Sequence, residues 1–194
     1  MIKRIFDLFF SIAGLIFFMP LFFIVSILVK LDSKGPVFFL QIRVGKDAKM
    51  FQIIKFRTMH DNNISSTISV HGDTRITSFG KFLRRFKIDE LPELLNIFNG
   101  EMSFVGPRPD VPGYADKLVG EDRKILMLKP GITSLASLKY SNEEKLLSKK
   151  DNPKYFNDNV IFPDKVRMNL KYYNNHNIWL DIKIIFATLF RLNY

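Results

Sequence analysis

The 194-residue chain contains no cysteine. That excludes a disulfide framework, a thiolate metal site and a cysteine nucleophile, and it fits a reducing compartment. Histidine is scarce: His60, His71 and His176 lie far apart, with no H-E-x-x-H spacing for zinc. No G-x-S-x-G elbow and no Walker loop occur, so neither the hydrolase serine nor the P-loop lysine is available. Internal repeats and low-complexity tracts are missing too. Acidic residues are outnumbered, 19 against 29 Lys and Arg, for a formal net charge of +10. At 47% hydrophobic residues the chain is too apolar to be disordered.

What is present fits one domain with a core of ordinary size. The positive balance points to an anionic partner: nucleic acid, a phosphorylated substrate or acidic lipid. The N-terminus, "KRIFDLFFSIAGLIFFMPLFFIVSILVK", holds one charge, Asp7, between Arg4 and Lys30. As a straight helix its apolar run would measure about 38 Å, more than the ~30 Å hydrocarbon core. A signal peptide fits poorly, because the run is too long and no A-x-A site follows. Pro20 interrupts the run and favours a kink, leaving limbs of about 22 and 14 Å that are each too short to span. Lys3 and Arg4 precede the run and Lys30 and Lys34 follow it, so the positive-inside tendency favours translocating neither end. The residues leave open a tilted spanning helix and a re-entrant helix bent at Pro20.

Residues 36–44, "PVFFLQIRV", and 51–59, "FQIIKFRTM", read as two strands joined at "VGKDAK", a hairpin with Lys55 and Arg57 on one face. Taken singly, either cation reads as a solvated charge on an edge strand. Residues 60–75 read as a polar loop. From Thr77 the pattern turns helical: Phe79, Phe82, Leu83 and Phe86 share a face, with Lys81, Arg84, Arg85 and Lys87 elsewhere on the wheel. A basic amphipathic helix with aromatics on its apolar face suits a membrane interface. "LPELLNIFNG" reads as a second helix closing at Gly100. Tyr140 to about Asp164 is polar and rich in Lys and Asn. A C-terminal helix follows, carrying Ile178, Ile182, Ile185, Phe186 and Leu189, with Trp179 and Arg191 near its ends.

Asp89 and Glu90 stand between the two central helices. On residue physics the pair reads first as a helix start, with Asp89 at or near an N-cap, Glu90 in the first turn and Pro92 tolerated there. The chemical reading is that Arg84, Arg85 and Lys87 keep the carboxylates ionised or neutralise a phosphorylated ligand. An ionised carboxylate can act as nucleophile or base and can hold a divalent cation that bridges to phosphate. Downstream, Pro107 and Pro109 stiffen a loop around Arg108, suited to gripping phosphate. "KPGITS" is a Pro-Gly turn.

In combination, the N-terminal segment with its proline, "GPVFFLQIRVGKDAKMFQIIKFRTM", "GDTRITSFGKFLRRFKIDELPELLNIFNGEMSFVGPRP" and "KPGITSLASL" resemble the bacterial sugar transferase family, the small monotopic phosphoglycosyl transferases. The resemblance implies an α+β, mainly helical fold: a small membrane-associated domain with a short β-hairpin and interfacial amphipathic helices. Residues 1–34 would form a re-entrant membrane helix kinked at Pro20, and 35–194 a catalytic domain at the membrane interface. It implies transfer of a sugar 1-phosphate from a UDP-sugar to undecaprenyl (polyprenol) phosphate, with release of UMP and a requirement for Mg²⁺, as the first membrane step of glycoconjugate synthesis. Asp89 would be the nucleophile, forming an aspartyl-phosphosugar intermediate, and would help hold the metal. Glu90 would assist the acceptor's attack. Arg84 would lie near the phosphates and Pro107, Arg108 and Pro109 near the nucleotide, with Lys55 and Arg57 as further substrate-binding candidates. The implied location is the cytoplasmic face of the bacterial inner membrane, with downstream glycosyltransferases as candidate further partners.

The chain departs from the family pattern at Met19, where serine is common, at Ser134 and Ser137 in place of Gly and Gln near the expected sugar, and at Leu170 in place of Asp. The competing class is a non-catalytic, basic membrane-surface protein. It accounts for charge and amphipathic helices but not for the ordered Asp-Glu and Pro-Arg-Pro motifs. Nucleic acid is not an expected partner, because the basic residues lie beside apolar stretches and no recognition motif appears.

Overall fold

The structure is a computed structural model that describes residues 1–60 and 73–190. The apolar N-terminal run folds as two helices, α1 (Ile2–Phe17) and α2 (Met19–Asp32), broken at Phe18 and bent by 61°. Pro20 lies in the first turn of α2, where its missing N–H costs nothing but where α1 cannot continue through it. At helical rise the limbs are about 24 and 21 Å long. Among the described residues no single helix is long and apolar enough to cross a membrane.

The hairpin forms as the residue pattern implies. β1 (Phe38–Val44) and β2 (Met50–Phe56) pair antiparallel, with Phe38 opposite Phe56 and Val44 opposite Met50. Asn96 then closes the free edge of β2. Its amide accepts from Ile54 N–H at 3.0 Å and donates to the Gln52 carbonyl at 2.7 Å, as a neighbouring strand's peptide would. Asn96 belongs to α4 (Glu93–Asn99), which ends at Gly100 in the left-handed region. Between hairpin and α4 comes α3 (Ser78–Phe86), capped at its start by Thr77, whose hydroxyl accepts from Gly80 N–H. The polar loop of 60–75 lies mostly outside the described residues, as does Arg191. Its described base is tied where Met59 bridges Ile76 and His60 N–H donates to the Arg75 carbonyl.

Two elements escaped the pattern reading. A parallel ladder joins β3 (Ser103–Val105) to β4 (Gly131–Thr133); three-residue strands are too short to show alternation. After α5 (Leu135–Lys139), the polar stretch from Tyr140 is largely helical: α6 (Glu143–Leu147) and α7 (Pro153–Phe156), then a π turn at Asn157–Ile161 running into α8 (Phe162–Asn175). Packing outweighs composition there, because Ile161, Val166 and Tyr172 are buried. The chain then forms α9 (Ile178–Leu189), whose N-cap Asn177 accepts from Leu180 N–H.

The N-terminal helices are built into the core. Val25 and Val29 of α2 pack on Phe56 and Leu83, and Leu15 and Phe18 pack on Ile53, Leu94 and Ile97. Polar bonds fix α1 as well. The buried Asp7 carboxylate accepts from Ser103 Oγ at 3.1 Å and Phe104 N–H at 3.2 Å. Lys3 Nζ donates to Asp181 Oδ2 at 2.5 Å, and Arg4 donates to the carbonyls of Ile97 and Phe98 at the C-terminus of α4. The opposite faces stay bare, with Ile16, Phe17, Met19 and Phe23 exposed around the bend.

Candidate active site

The Asp-Glu pair is set by a reversal between α3 and α4. Lys87 ends α3 in the left-handed region at φ 58°, uncommon for a residue with a side chain. One 3₁₀ turn, Ile88–Glu90, follows and tucks Ile88 against the α2–α3 core. Asp89 is therefore not the N-cap of α4, contrary to the simplest reading of the sequence. That helix starts at Glu93 behind Pro92, without a side-chain cap. Asp89 and Glu90 are 7% and 8% exposed.

Their surroundings differ. Asp89 Oδ1 is buried without a hydrogen-bond partner. Burial, then the neighbouring Glu90 charge, pushes the Asp89 carboxyl up, against Lys55, Lys87 and Arg84. Glu90 Oε1 accepts from Lys55 Nζ at 2.7 Å and from Arg108 Nη2 at 2.5 Å. Burial alone would raise Glu90, but Arg108, Lys55 and Lys87 together outweigh it and hold this carboxyl well below the usual carboxylate range. Adjacent in sequence, the two groups are electrostatic opposites.

Arg108 reaches Glu90 because two motifs are zipped together. Gly106 N–H donates to the Thr133 carbonyl at 3.0 Å and Gly131 N–H to the Pro107 carbonyl at 2.9 Å. The backbones are so close that a Cβ on Gly106 would stand 2.2 Å from the Lys129 carbonyl oxygen, and one on Gly131 2.1 Å from Gly106 N. "KPGIT" thus serves as the strut for the Pro107-Arg108-Pro109 loop. Pro109 is held in turn by Arg43, whose Nη1 donates to its carbonyl at 3.2 Å. Arg108 keeps a side chain 41% exposed, so the face turned from Glu90 is open to a ligand.

Of the other expected site residues, Lys55 reaches the pair from β2. Arg84 Nε donates to Thr58 Oγ1 at 3.0 Å and lies within electrostatic reach of Asp89. Arg57 is not with them. Its guanidinium donates to the carbonyls of Val29 and Ser33, at 3.3 and 2.6 Å, around the C-terminal end of α2. Alternation put Lys55 and Arg57 on one face, but the strand ends at Phe56 and the helix-end carbonyls beside it take the guanidinium. Neither cation is the solvated edge charge that each would be alone. Ser134 is committed to capping α5, accepting from Ser137 N–H at 2.9 Å, and Leu170 packs against the cluster of Val44, Ala115, Ile125, Leu126 and Val166.

Two site residues were missed by the pattern reading. Arg43 lies behind the Pro-Arg-Pro loop with its Nε buried and unpartnered. Glu93, 1% exposed, places Oε1 3.2 Å from Lys55 Nζ. Its signal was its spacing, one helical turn after Glu90. Among the described residues no group of three or more His, Asp or Glu side chains is arranged to hold a metal ion. A cation here would rest on Asp89 and on ligand oxygens, the mode usual for Mg²⁺ with phosphates. The orphaned, buried Oδ1 fits that arrangement.

The family model for bacterial sugar transferases matches residues 1–193. The chain belongs to the bacterial sugar transferase family. Among its relatives within that family, the exopolysaccharide production protein PSS of Rhizobium leguminosarum bv. phaseoli is 36% identical over 197 residues, covering 97% of this chain and 93% of the relative. The UDP-N-acetylgalactosamine-undecaprenyl-phosphate N-acetylgalactosaminephosphotransferase of Aeromonas hydrophila is 34% identical across 97% of this chain. The UDP-glucose:undecaprenyl-phosphate glucose-1-phosphate transferase of Escherichia coli K12 is 34% identical across 98% of it. The chain spans 43% and 40% of the lengths of these last two proteins.

Proposed function

We propose that the chain transfers a sugar 1-phosphate from a UDP-sugar to undecaprenyl phosphate in two steps through Asp89. The reading rests on one observation above all: a buried carboxylate with a free oxygen, within reach of Lys55, Lys87 and Arg84 and next to Glu90, whose partner Arg108 is partly exposed. The family and the printed activities of the relatives support the substrate classes.

In the first step Asp89 Oδ attacks the phosphorus that carries the sugar. The bond from that phosphorus to the bridging oxygen breaks, UMP leaves with the electron pair, and an aspartyl-phosphosugar remains. In the second, a phosphate oxygen of undecaprenyl phosphate attacks the same phosphorus and Asp89 departs as carboxylate. The products are a sugar diphospho-undecaprenol and the original enzyme. Arg108 shifts from Glu90 to the diphosphate, and Arg84 and Lys55 offset the charge that remains. Glu90, relieved of Arg108, becomes able to assist the acceptor. Mg²⁺ held at Asp89 would neutralise phosphate charge and favour departure of UMP. Splitting the transfer lets a soluble nucleotide and a membrane lipid react in turn.

The bent α1–α2 pair is read as re-entrant, with the site at the cytoplasmic face of the bacterial inner membrane. Phe82 and Phe86 of α3, and Trp179, Phe186 and Phe190 at α9, are exposed as interfacial side chains would be. Cysteines introduced as Ile2→Cys and Lys34→Cys should both label from the cytoplasmic side; periplasmic labelling of either means a spanning helix.

Asp89→Asn separates this reading from a non-catalytic membrane-surface protein. The variant should still bind vesicles of anionic lipid but should not release UMP from UDP-sugars. Undiminished UMP release would remove Asp89 as nucleophile.

A further inference from the structure

Glu93 is a buried carboxyl for which the two-step transfer has no use. Its Oε1 stands 3.2 Å from Lys55 Nζ without forming a hydrogen bond, while the same ammonium donates to Glu90 at 2.7 Å. One lysine thus serves two carboxyls one helical turn apart. We propose that Glu93 is a positioning residue for the second step, acting through Lys55: it competes with Glu90 for the ammonium and sets how tightly Glu90 is held. The inference rests on the transferase reading above.

The groups facing Glu93 come from each neighbouring element. β2 supplies Lys55, β1 supplies Arg43, the turn before α4 supplies Glu90, and the loop after β3 supplies Arg108. α1, which packs along α4, sends Arg4 to that helix's opposite end. Burial pushes the Glu93 carboxyl up to about 7, opposed by Lys55, reinforced by the Glu90 charge and opposed again by Arg108. Glu90, by contrast, is held far down. Paired acids whose surroundings drive them apart divide the labour of a site. While Glu93 carries a proton, Lys55 belongs to Glu90. Once Glu93 ionises, Lys55 is divided, and Glu90 depends on Arg108, the residue a diphosphate would draw away.

Glu93→Gln imitates the protonated form at every pH. The experiment uses the full chain in detergent micelles, with undecaprenyl phosphate and UDP-glucose or UDP-N-acetylgalactosamine, whichever yields UMP. The acceptor phosphate, itself titrating near pH ~6, is common to both proteins and cancels in their rate ratio. The parent-to-variant ratio for the second step should rise about tenfold between pH about 6 and about 8. A ratio flat across that range overturns the proposal. Difference infrared spectroscopy supplies a readout independent of turnover. A protonated-carboxyl band titrating near 7 in the parent should vanish in Glu93→Gln and titrate higher in Lys55→Met. A band that persists in the first variant, or does not move in the second, also overturns it. If the parent releases UMP from no UDP-sugar, the transferase reading falls instead, and the infrared titration still decides whether Glu93 shares Lys55.

Discussion

Asn96 is the residue whose loss should couple stability to the site most directly. It is fully buried and makes three side-chain bonds: from Ile54 N–H at 3.0 Å, to the Gln52 carbonyl at 2.7 Å and to Glu101 Oε2 at 2.7 Å. Asn96→Leu keeps the volume and removes all three. A stranded donor or acceptor costs about 1–3 kcal/mol, and a bond to a carboxylate about 1.5–3. Gln52 is exposed enough for water to replace part of its loss, so the sum is about 3–5 kcal/mol. A domain holds only about 5–15 kcal/mol in all. At this chain length each kcal/mol lowers Tm by about 2–4 °C, so thermal unfolding followed by circular dichroism in detergent should shift by about 10 °C. UMP release should fall at temperatures where the variant is still folded, since α4 carries Glu93 and follows Glu90, and β2 carries Lys55. A melt within about 3 °C of the parent would mean that Asn96 is not the clamp between helix and hairpin.

Two further outcomes follow from the same contacts. Gly131→Ala puts a methyl group 2.1 Å from backbone nitrogen at Gly106, where neither strand can yield cheaply; it should cost more than about 2 kcal/mol and at least tenfold in UMP release, and an active, parent-like variant would show that the strut is dispensable. The Glu93 carboxyl, raised from 4.5 to about 7, takes up a proton on folding. Its stabilising effect is therefore present below pH about 4.5 and lost as pH rises through about 7, at most about 3.5 kcal/mol at ~1.4 kcal/mol per pH unit. Tm measured from pH about 5 to about 8 should fall less steeply in Glu93→Gln than in the parent, and equal slopes would count against it.

Much of this was legible from residue patterns. Phe79 and Leu83 mark the packed side of α3, and Leu83 is fully buried. Phe82 and Phe86, on the same apolar stripe, are half bare, as a helix meeting something other than its own core would leave them. The hairpin followed from alternation and its turn. The Asp-Glu pair did not: residue physics favoured a helix cap, and only the ordered motifs around it argued for chemistry. Glu93 carried no signal of its own beyond its spacing from Glu90, because periodicity does not tell a solvated carboxylate from one drawn inward by a lysine on another element. Arg57 went astray for the reverse reason, since alternation gives the face of a strand but not the helix end waiting beside it. The ladder joining "FVGPRP" to "KPGIT" depends on backbone approach across a gap of 28 residues between Ser103 and Gly131, and composition carries little trace of that.

The anchoring of α1 has a consequence for how the molecule is made. Asp7 takes its partners 96 and 97 residues later, and Lys3 takes Asp181 after 178. α1 leaves the ribosome long before β3 and α9 exist, so its buried carboxylate waits without donors until most of the chain has been synthesised. Contacts this distant in sequence are slow to close. Docking of α1 therefore waits on the rest of the chain, and a chain arrested before α9 would leave Lys3 without Asp181.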